Sequence, residues 1–240
     1  MKSLLIPVKE LSKAKQRLSA YFTPEDRFEL ADALWQDFFK VAAKVRGIDS
    51  IFVVSTEERV LDEARKLGWE IIPESHQISE SDSVDFASRW CADRGVDVLL
   101  RVPVDLPLIE ARDIETVFGD APAAPAAVIV PSFDGTGTNA LLRTPPTLFP
   151  SHFGPGSFTK HLVEASKCGA ETRVLRLPGI EIDIDELADV DVLRGRDLRP
   201  SMTREWLQAH GVVSALRAAA GSNGGPAGRI SAEDRKAAGR

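Results

Sequence analysis

Short apolar runs alternate with longer amphipathic stretches over most of the chain, a pattern that predicts strands alternating with helices. Ser3–Pro7 reads as the first strand, and a polar loop bearing Lys9, Lys15 and Arg17 follows it. A helix then opens at Thr23-Pro24, where threonine can cap free amides and proline fits a position that needs no donor. Phe28, Ala31, Trp35, Phe38, Ala42 and Val45 recur at three- and four-residue steps, which predicts one buried face. Ile51–Val54 is the second strand. The helix starting at Thr56 carries Val60, Leu61, Ala64 and Leu67 and stops at Gly68, because glycine takes the left-handed terminal conformation cheaply. Trp69–Ile72 gives a third strand and Ser83–Arg94 a helix, and Asp97–Val102 is a nearly continuous apolar strand suited to the middle of a sheet. A helix near Asp113–Phe118 and a strand at Ala127–Val130 continue the alternation. Such repetition predicts an α/β fold with a mainly parallel sheet and helices on both faces.

The stretch Asp134–Leu142 is glycine-rich and then extended; a loop, Phe153–Ser157, a helix, Phe158–Cys168, and a strand near Thr172–Leu177 follow. No polar linker divides the first 195 residues, so 1–195 is expected to be a single domain. Past it the pattern weakens. Residues 196–219 read as a helical extension, with a helix at Thr203–Arg217 whose Trp206, Leu207 and Leu216 can dock on the domain. In residues 220–240 small and charged side chains dominate and Ile230 is the lone bulky apolar one, so this tail is expected to be disordered.

Composition narrows the function. The 240 residues are 43% hydrophobic with a net charge of −6, which supplies a substantial core and argues against a nucleic-acid partner, since that needs a basic surface. Cys91 and Cys168 stand far from any metal-ligand spacing and are expected to be free thiols. The apolar stretch Leu4–Val8 is too short for a signal peptide, and no run approaches the roughly 20 residues of a membrane span. A cytoplasmic protein with no membrane partner is the expectation; oligomeric state is unreadable, and a homodimer stays open.

Candidate chemistry begins at Asp105. It lies just past the carboxyl end of the predicted central strand, where open α/β sheets place ligands, and a carboxylate there suits a hard cation such as Mg²⁺. Asp-Leu-Pro can equally be a turn. Glu181, Asp183 and Asp185 alternate with Ile182 and Ile184, so in an extended segment the acids share one face; this is either a wet strand edge or, with Asp105, a metal site. Lys9, Lys15 and Arg17 can hold a triphosphate, though a lysine-bearing surface loop is common. Walker A spacing and a G-x-G-x-x-G fingerprint are both missing. Gly135-Thr-Gly-Thr-Asn139 and Phe153-Gly-Pro-Gly-Ser157 are two glycine-bearing segments that are ordinary turns or ligand cradles; Thr138, Asn139, Gly154 and Ser157 offer contacts, and His161 lies one helical turn past Ser157. Serine and cysteine are missing from any G-x-S-x-G elbow, which argues against covalent catalysis.

Taken in order, Ile6-Pro-Val-Lys9, Ala14-Lys-Gln-Arg-Leu18, Asp105-Leu-Pro-Leu108, Gly137-Thr-Asn-Ala-Leu141, Phe153-Gly-Pro-Gly-Ser-Phe158 with His161, and Ile182-Asp-Ile-Asp185 span nearly all of residues 3 to 195. In this combination the chain resembles the 2-phospho-L-lactate guanylyltransferase family of coenzyme F-420 biosynthesis, with its phosphoenolpyruvate- and 3-phospho-D-glycerate-using relatives. The resemblance implies a nucleotidyltransferase-type, Rossmann-like fold and transfer of GMP from GTP to a phosphorylated three-carbon acid, with hand-over to a downstream deazaflavin transferase. By position, Lys9, Lys15 and Arg17 would face the triphosphate, Asp105 with Asp183 or Asp185 would hold Mg²⁺, and Thr138 or Asn139 with Gly154 and Ser157 would receive the acid. His161 would contact substrate or close the pocket. Family members often carry a Leu-Asn pair where this chain has Val84-Asp85, a change that bears on nucleotide positioning and base choice. Arg101 is an isolated cation in an apolar strand, placed either to reach the substrate carboxylate from the strand end or to pair with a nearby acid. Rival readings are another nucleotidyltransferase, a nucleotide-sugar glycosyltransferase, or a nucleotide-binding protein without catalysis.

Overall fold

A computed structural model describes residues 1–74, 77–193, 196 and 198–211. Among these residues seven strands form one sheet: β1 (Lys2–Val8), β2 (Ser50–Ser55), β3 (Glu70–Pro73), β4 (Val98–Arg101), β5 (Ala126–Pro131), β6 (Thr138–Thr144) and β7 (Glu171–Val174). Their order is β3-β2-β1-β4-β6-β5-β7. β6 runs antiparallel to both its neighbours, and the remaining pairings are parallel. The α-helices among the described residues are α1 (Pro24–Ala42), α2 (Glu58–Lys66), α3 (Glu80–Ala92), α4 (Ala111–Gly119), α5 (Ser157–Lys167), α6 (Leu187–Leu193) and α7 (Met202–Ala209). This is the single α/β domain that the alternation predicts.

Both faces of the sheet are covered, and the period of two along each strand decides which side chain goes where. Leu4, Ile6 and Val8 of β1 join Trp35 and Phe38 of α1 and Ile114 and Val117 of α4 in one core. Leu5, Phe52, Val54 and Leu99 pack on the opposite face against Val84, Ala87 and Cys91 of α3. Under α5 that face carries Ala127, Ile129 and Leu141. Arg101 and Arg143 sit on alternate positions of this second face, in register beside Leu141 and Leu99. Two buried cations in an apolar layer are costly unless paired, and α3 supplies the partners. Glu80 binds Arg101, while Asp85 lies 3.4 Å from Arg143 and Ser88 Oγ accepts from it at 2.7 Å.

Most helix starts fall a few residues from where the sequence puts them. α3 opens at Glu80 rather than Ser83 because Ser79 caps it, its Oγ accepting the Asp82 amide at 3.1 Å. α1 opens as expected, with a reciprocal capping box between Thr23 and Asp26. The acidic segment 181–185 is not a strand of the sheet, and the alternation holds only from Ile182 to Asp185: Ile182 and Ile184 are buried in a cluster with Leu30 and Leu34 of α1 and Trp206 and Leu207 of α7. Glu181 is buried too, instead of sharing a face with Asp183 and Asp185. α7 thus docks through Trp206 and Leu207, as expected. Its expected continuation beyond Gly211, including Leu216, and the tail 220–240 lie outside the described residues. Both cysteines are free, Cys91 buried and Cys168 exposed.

Candidate functional site

Outward from β1 the sheet proceeds to β2 and β3 on one side and to β4 on the other. The carboxyl ends of β1 and β4 therefore flank the point where strand order reverses, and a crevice opens there. It has a volume of about 300 Å³, and its walls include Val8, Lys9, Lys15, Arg17, Asp105 and Asp185. The loop after β1 folds into two short 3₁₀ turns, Leu11–Lys13 and Gln16–Leu18. Between them Lys15 takes a left-handed conformation at φ 55°, which costs a non-glycine residue on the order of 1 kcal/mol. What offsets this is the grip on its ammonium: Asp105 Oδ2 lies at 2.7 Å and Asp185 Oδ1 at 3.0 Å. Arg17 stands 3.9 Å from Asp185, and Lys9 pairs with Glu80 at 2.9 Å on the cleft wall.

Asp105, Asp183 and Asp185 each offer a carboxylate oxygen within 4.8 Å of the others. The segment carrying the last two is pinned by the Ile184 amide, which donates to the Asp105 carbonyl at 3.2 Å. Burial works to raise the Asp105 carboxyl, but the Lys15 ammonium beside it, with Lys9 and Arg101, holds it below its ordinary value. Asp105 Oδ1 is buried without a hydrogen-bond partner. Asp183 behaves oppositely: burial, then repulsion from Asp105 and Asp185, pushes its carboxyl up to about 7. Glu181 turns away from this cluster to Arg176 at 3.1 Å.

A second group adjoins the first through Asn139. Its amide donates to Asp183 Oδ1 at 3.1 Å and to the carbonyls of Ile180 and Glu181 at 2.9 and 3.0 Å. Thr138 precedes it on β6, and both are buried. Facing them is the loop 153–157, in which Gly154 has φ 110°, a conformation that glycine alone takes readily. Gly154 accepts the Ser157 amide at 3.1 Å, and Ser157 opens α5 with a buried Oγ that lacks a partner.

His161 is fully buried. Its Nε2 accepts the His152 amide at 2.9 Å, so the ring proton sits on Nδ1 and is donated to Thr138 Oγ1 at 3.0 Å. Burial, then the charges of Arg143 and Arg101, lower its pKa to about 3, so the ring is neutral. With both nitrogens engaged, His161 orients Thr138, whose own hydroxyl proton must then point elsewhere.

Arg101 and Asp85, which the sequence leaves undecided, are both placed. Arg101 donates to the carbonyls of Thr138 and Asn139 at 3.4 and 3.3 Å, lies 4.0 Å over the Phe153 ring and pairs with Glu80. Burial lowers it to about 10, which leaves it charged at neutral pH. Asp85 accepts the Ser151 amide at 3.0 Å and faces Arg143. It stands outside the set of residues lining the cleft. Glu80 is the site residue that sequence reading passes over, because an acid in a helix's first turn is commonplace.

The family described as "Guanylyl transferase CofC like" matches residues 1–222. A phosphoenolpyruvate guanylyltransferase of Rubrobacter xylanophilus is 36% identical over 199 residues, covering 82% of this chain and 96% of the relative. A 2-phospho-L-lactate guanylyltransferase of Methanothermobacter thermautotrophicus is 30% identical, covering 85% and 88%. A 3-phospho-D-glycerate guanylyltransferase of Colwellia psychrerythraea is 27% identical, covering 80% and 90%. Among solved structures, a protein described as a nucleotide-diphospho-sugar transferase from Desulfovibrio desulfuricans G20 superposes with a TM-score of 0.71 at 17% identity, covering 90% of this chain and 99% of that one. A nucleotidyl transferase of Methanothermobacter gives 0.54 at 14%, covering 87% and 99%. At those identities the two structures speak for the fold alone. No helix among the described residues is long and apolar enough to cross a membrane.

Proposed function

The chain belongs to the CofC-like guanylyl transferase family, and from that premise we propose that it moves GMP from GTP onto the phosphate of a three-carbon acid, releasing pyrophosphate. The acid is phosphoenolpyruvate, 2-phospho-L-lactate or 3-phospho-D-glycerate, and the product enters coenzyme F-420 biosynthesis by hand-over to a deazaflavin transferase. The reading places this reaction in the cytoplasm and is compatible with a monomer or a homodimer.

The observation that carries it is the carboxylate cluster beside a cationic loop at the strand switch point. Asp105, Asp183 and Asp185 fit a divalent cation: their donors are hard oxygens, Asp105 Oδ1 is buried and unpartnered, and the repulsion that raises Asp183 is what such a cation relieves. They would hold Mg²⁺, which supplies Lewis-acid polarisation and charge neutralisation when bound. Lys9, Lys15 and Arg17 bind the triphosphate and offset the charge that grows on departing pyrophosphate. Thr138, Asn139, Gly154 and Ser157 hold the acid. Because Thr138 accepts its hydrogen bond from His161, its hydroxyl is set to donate to the acid's phosphate. An oxygen of that phosphate attacks the α-phosphorus of GTP. The bond to the β-phosphate oxygen breaks, and pyrophosphate leaves with the electron pair. The attacking oxygen is already ionised, so no general base is needed; placement and charge supply the acceleration.

Pyrophosphate release should appear from GTP only when one of the three acids and Mg²⁺ are both present. Equal release without acid, or none with all three, contradicts the proposal.

A further inference from the structure

Glu80 is placed for more than neutralising Arg101. It opens α3 and lines the same cleft as Lys15 and Asp105, with a side chain 20% exposed. One carboxylate oxygen is anchored from behind by Arg101, whose side chain is only 5% exposed; the other faces Lys9 at 2.9 Å. The Lys9 side chain is more than half exposed and can leave for a stronger counter-charge. Apolar side chains, among them Pro7, Val8, Leu11 and Pro103, line the same cleft and suit a flat aromatic ring. Gln77 lines it as well and makes contacts of 3.4 and 3.5 Å to Glu10 and Glu74.

An anchored carboxylate on an apolar wall has a specific match among nucleobases. Guanine presents two neighbouring donors, N1–H and the N2 amino group, next to the O6 acceptor. Adenine presents a lone pair at N1 instead, which a carboxylate repels, and hypoxanthine lacks the N2 donor. We propose that Glu80 reads the donor edge of the bound guanine, accepting N1–H and N2–H, while the Gln77 amide donates to O6. This rests on the guanylyltransferase reading and names the residue that would make the nucleotide GTP. In the nucleotide complex Lys9 moves to the triphosphate, and Glu80 stays fixed by Arg101. Buried polar groups built for a partner reject analogues that leave them unpaired.

The test is discrimination between GTP and ITP, which differ only by the N2 amino group. Dissociation constants for both are measured by titration calorimetry in the presence of Mg²⁺, on the wild type and on Glu80→Gln. The amide introduced by this substitution would set a donor against one of guanine's donors. The wild type should prefer GTP by roughly 10- to 100-fold, the range for one hydrogen bond to a charged group, and the ratio in Glu80→Gln should fall towards one. A folding defect lowers both affinities together and leaves their ratio intact, so it cannot mimic the effect. If Glu80→Gln does not fold, Glu80→Gln with Arg101→Met removes the unpaired buried cation, and the same loss of ratio is expected. An unchanged ratio in the variant overturns the role of Glu80 while leaving GTP use standing. A wild type that binds neither nucleotide overturns the guanylyltransferase reading itself, and this inference with it.

Discussion

Protonating His161 should be among the events that limit acid stability. The neutral ring accepts the His152 amide on Nε2 and donates from Nδ1 to Thr138, and it shares its surroundings with the cations Arg143 and Arg101. A second proton would break the first bond and add a like charge. The folded-state pKa lies near 3 against 6.5 unfolded, and each pH unit of that gap is worth about 1.4 kcal/mol. The sign follows from linkage: a histidine with a depressed pKa contributes stability in full above the unfolded pKa and loses it as pH falls towards the folded one. Between pH 6.5 and about pH 4.5 the loss is roughly 2–3 kcal/mol. His161→Gln keeps an acceptor for the His152 amide and a donor for Thr138 but does not titrate. Urea unfolding near pH 7.5 and near pH 4.5 should therefore show the wild type losing roughly 2–3 kcal/mol more than the variant. Parallel loss in the two proteins would refute the buried, neutral assignment of His161.

Asp105→Asn keeps the size of the side chain but removes charge from the proposed Mg²⁺ site. Turnover should fall by roughly two orders of magnitude or more and recover in part with extra Mg²⁺ or with Mn²⁺. Ser157→Ala removes the unpartnered hydroxyl, so about 1.5–3 kcal/mol should be lost, visible as a raised KM for the acid with GTP affinity unchanged in calorimetry. Asp85→Asn leaves Arg143 without its counter-charge and should cost about 2 kcal/mol, a fall in Tm of roughly 4–8 °C by calorimetry. Its Kd for GTP should stay at the wild-type value, because Asp85 faces Ser151 and Arg143 rather than the cleft.

Much of this architecture was legible because strand and helix periods are local. The apolar runs at Leu4–Val8, Ile51–Val54 and Ala127–Val130 all fall within strands buried on both faces, and Asp105 lies just past the central strand β4. The alternation of Ile182 and Ile184 with Asp183 and Asp185 also survives, although packing against α1 and α7, rather than sheet pairing, enforces it, and Glu181 departs from it by turning to Arg176. Pairings distant in sequence were not legible. The Glu80–Arg101 bond depends on α3 crossing the face of β4, and the Arg143–Asp85 pair joins residues of β6 and α3. That same pair gives the acid at position 85, which the sequence ties to nucleotide positioning, a buried counter-charge. His161 was visible as a helix-face neighbour of Ser157, but its total burial and tautomer follow only from the His152 amide behind it.

The central claim is transfer from the α-phosphorus of GTP to a phosphorylated acid, and the fate of each phosphorus tests it directly. GTP labelled at its α- or its γ-phosphorus is incubated with Mg²⁺ and each of the three acids, and the products are separated by chromatography. The account predicts α-label in a guanosine adduct of one acid and γ-label in pyrophosphate. Label leaving as GDP or orthophosphate, or unchanged GTP with all three acids, would contradict it.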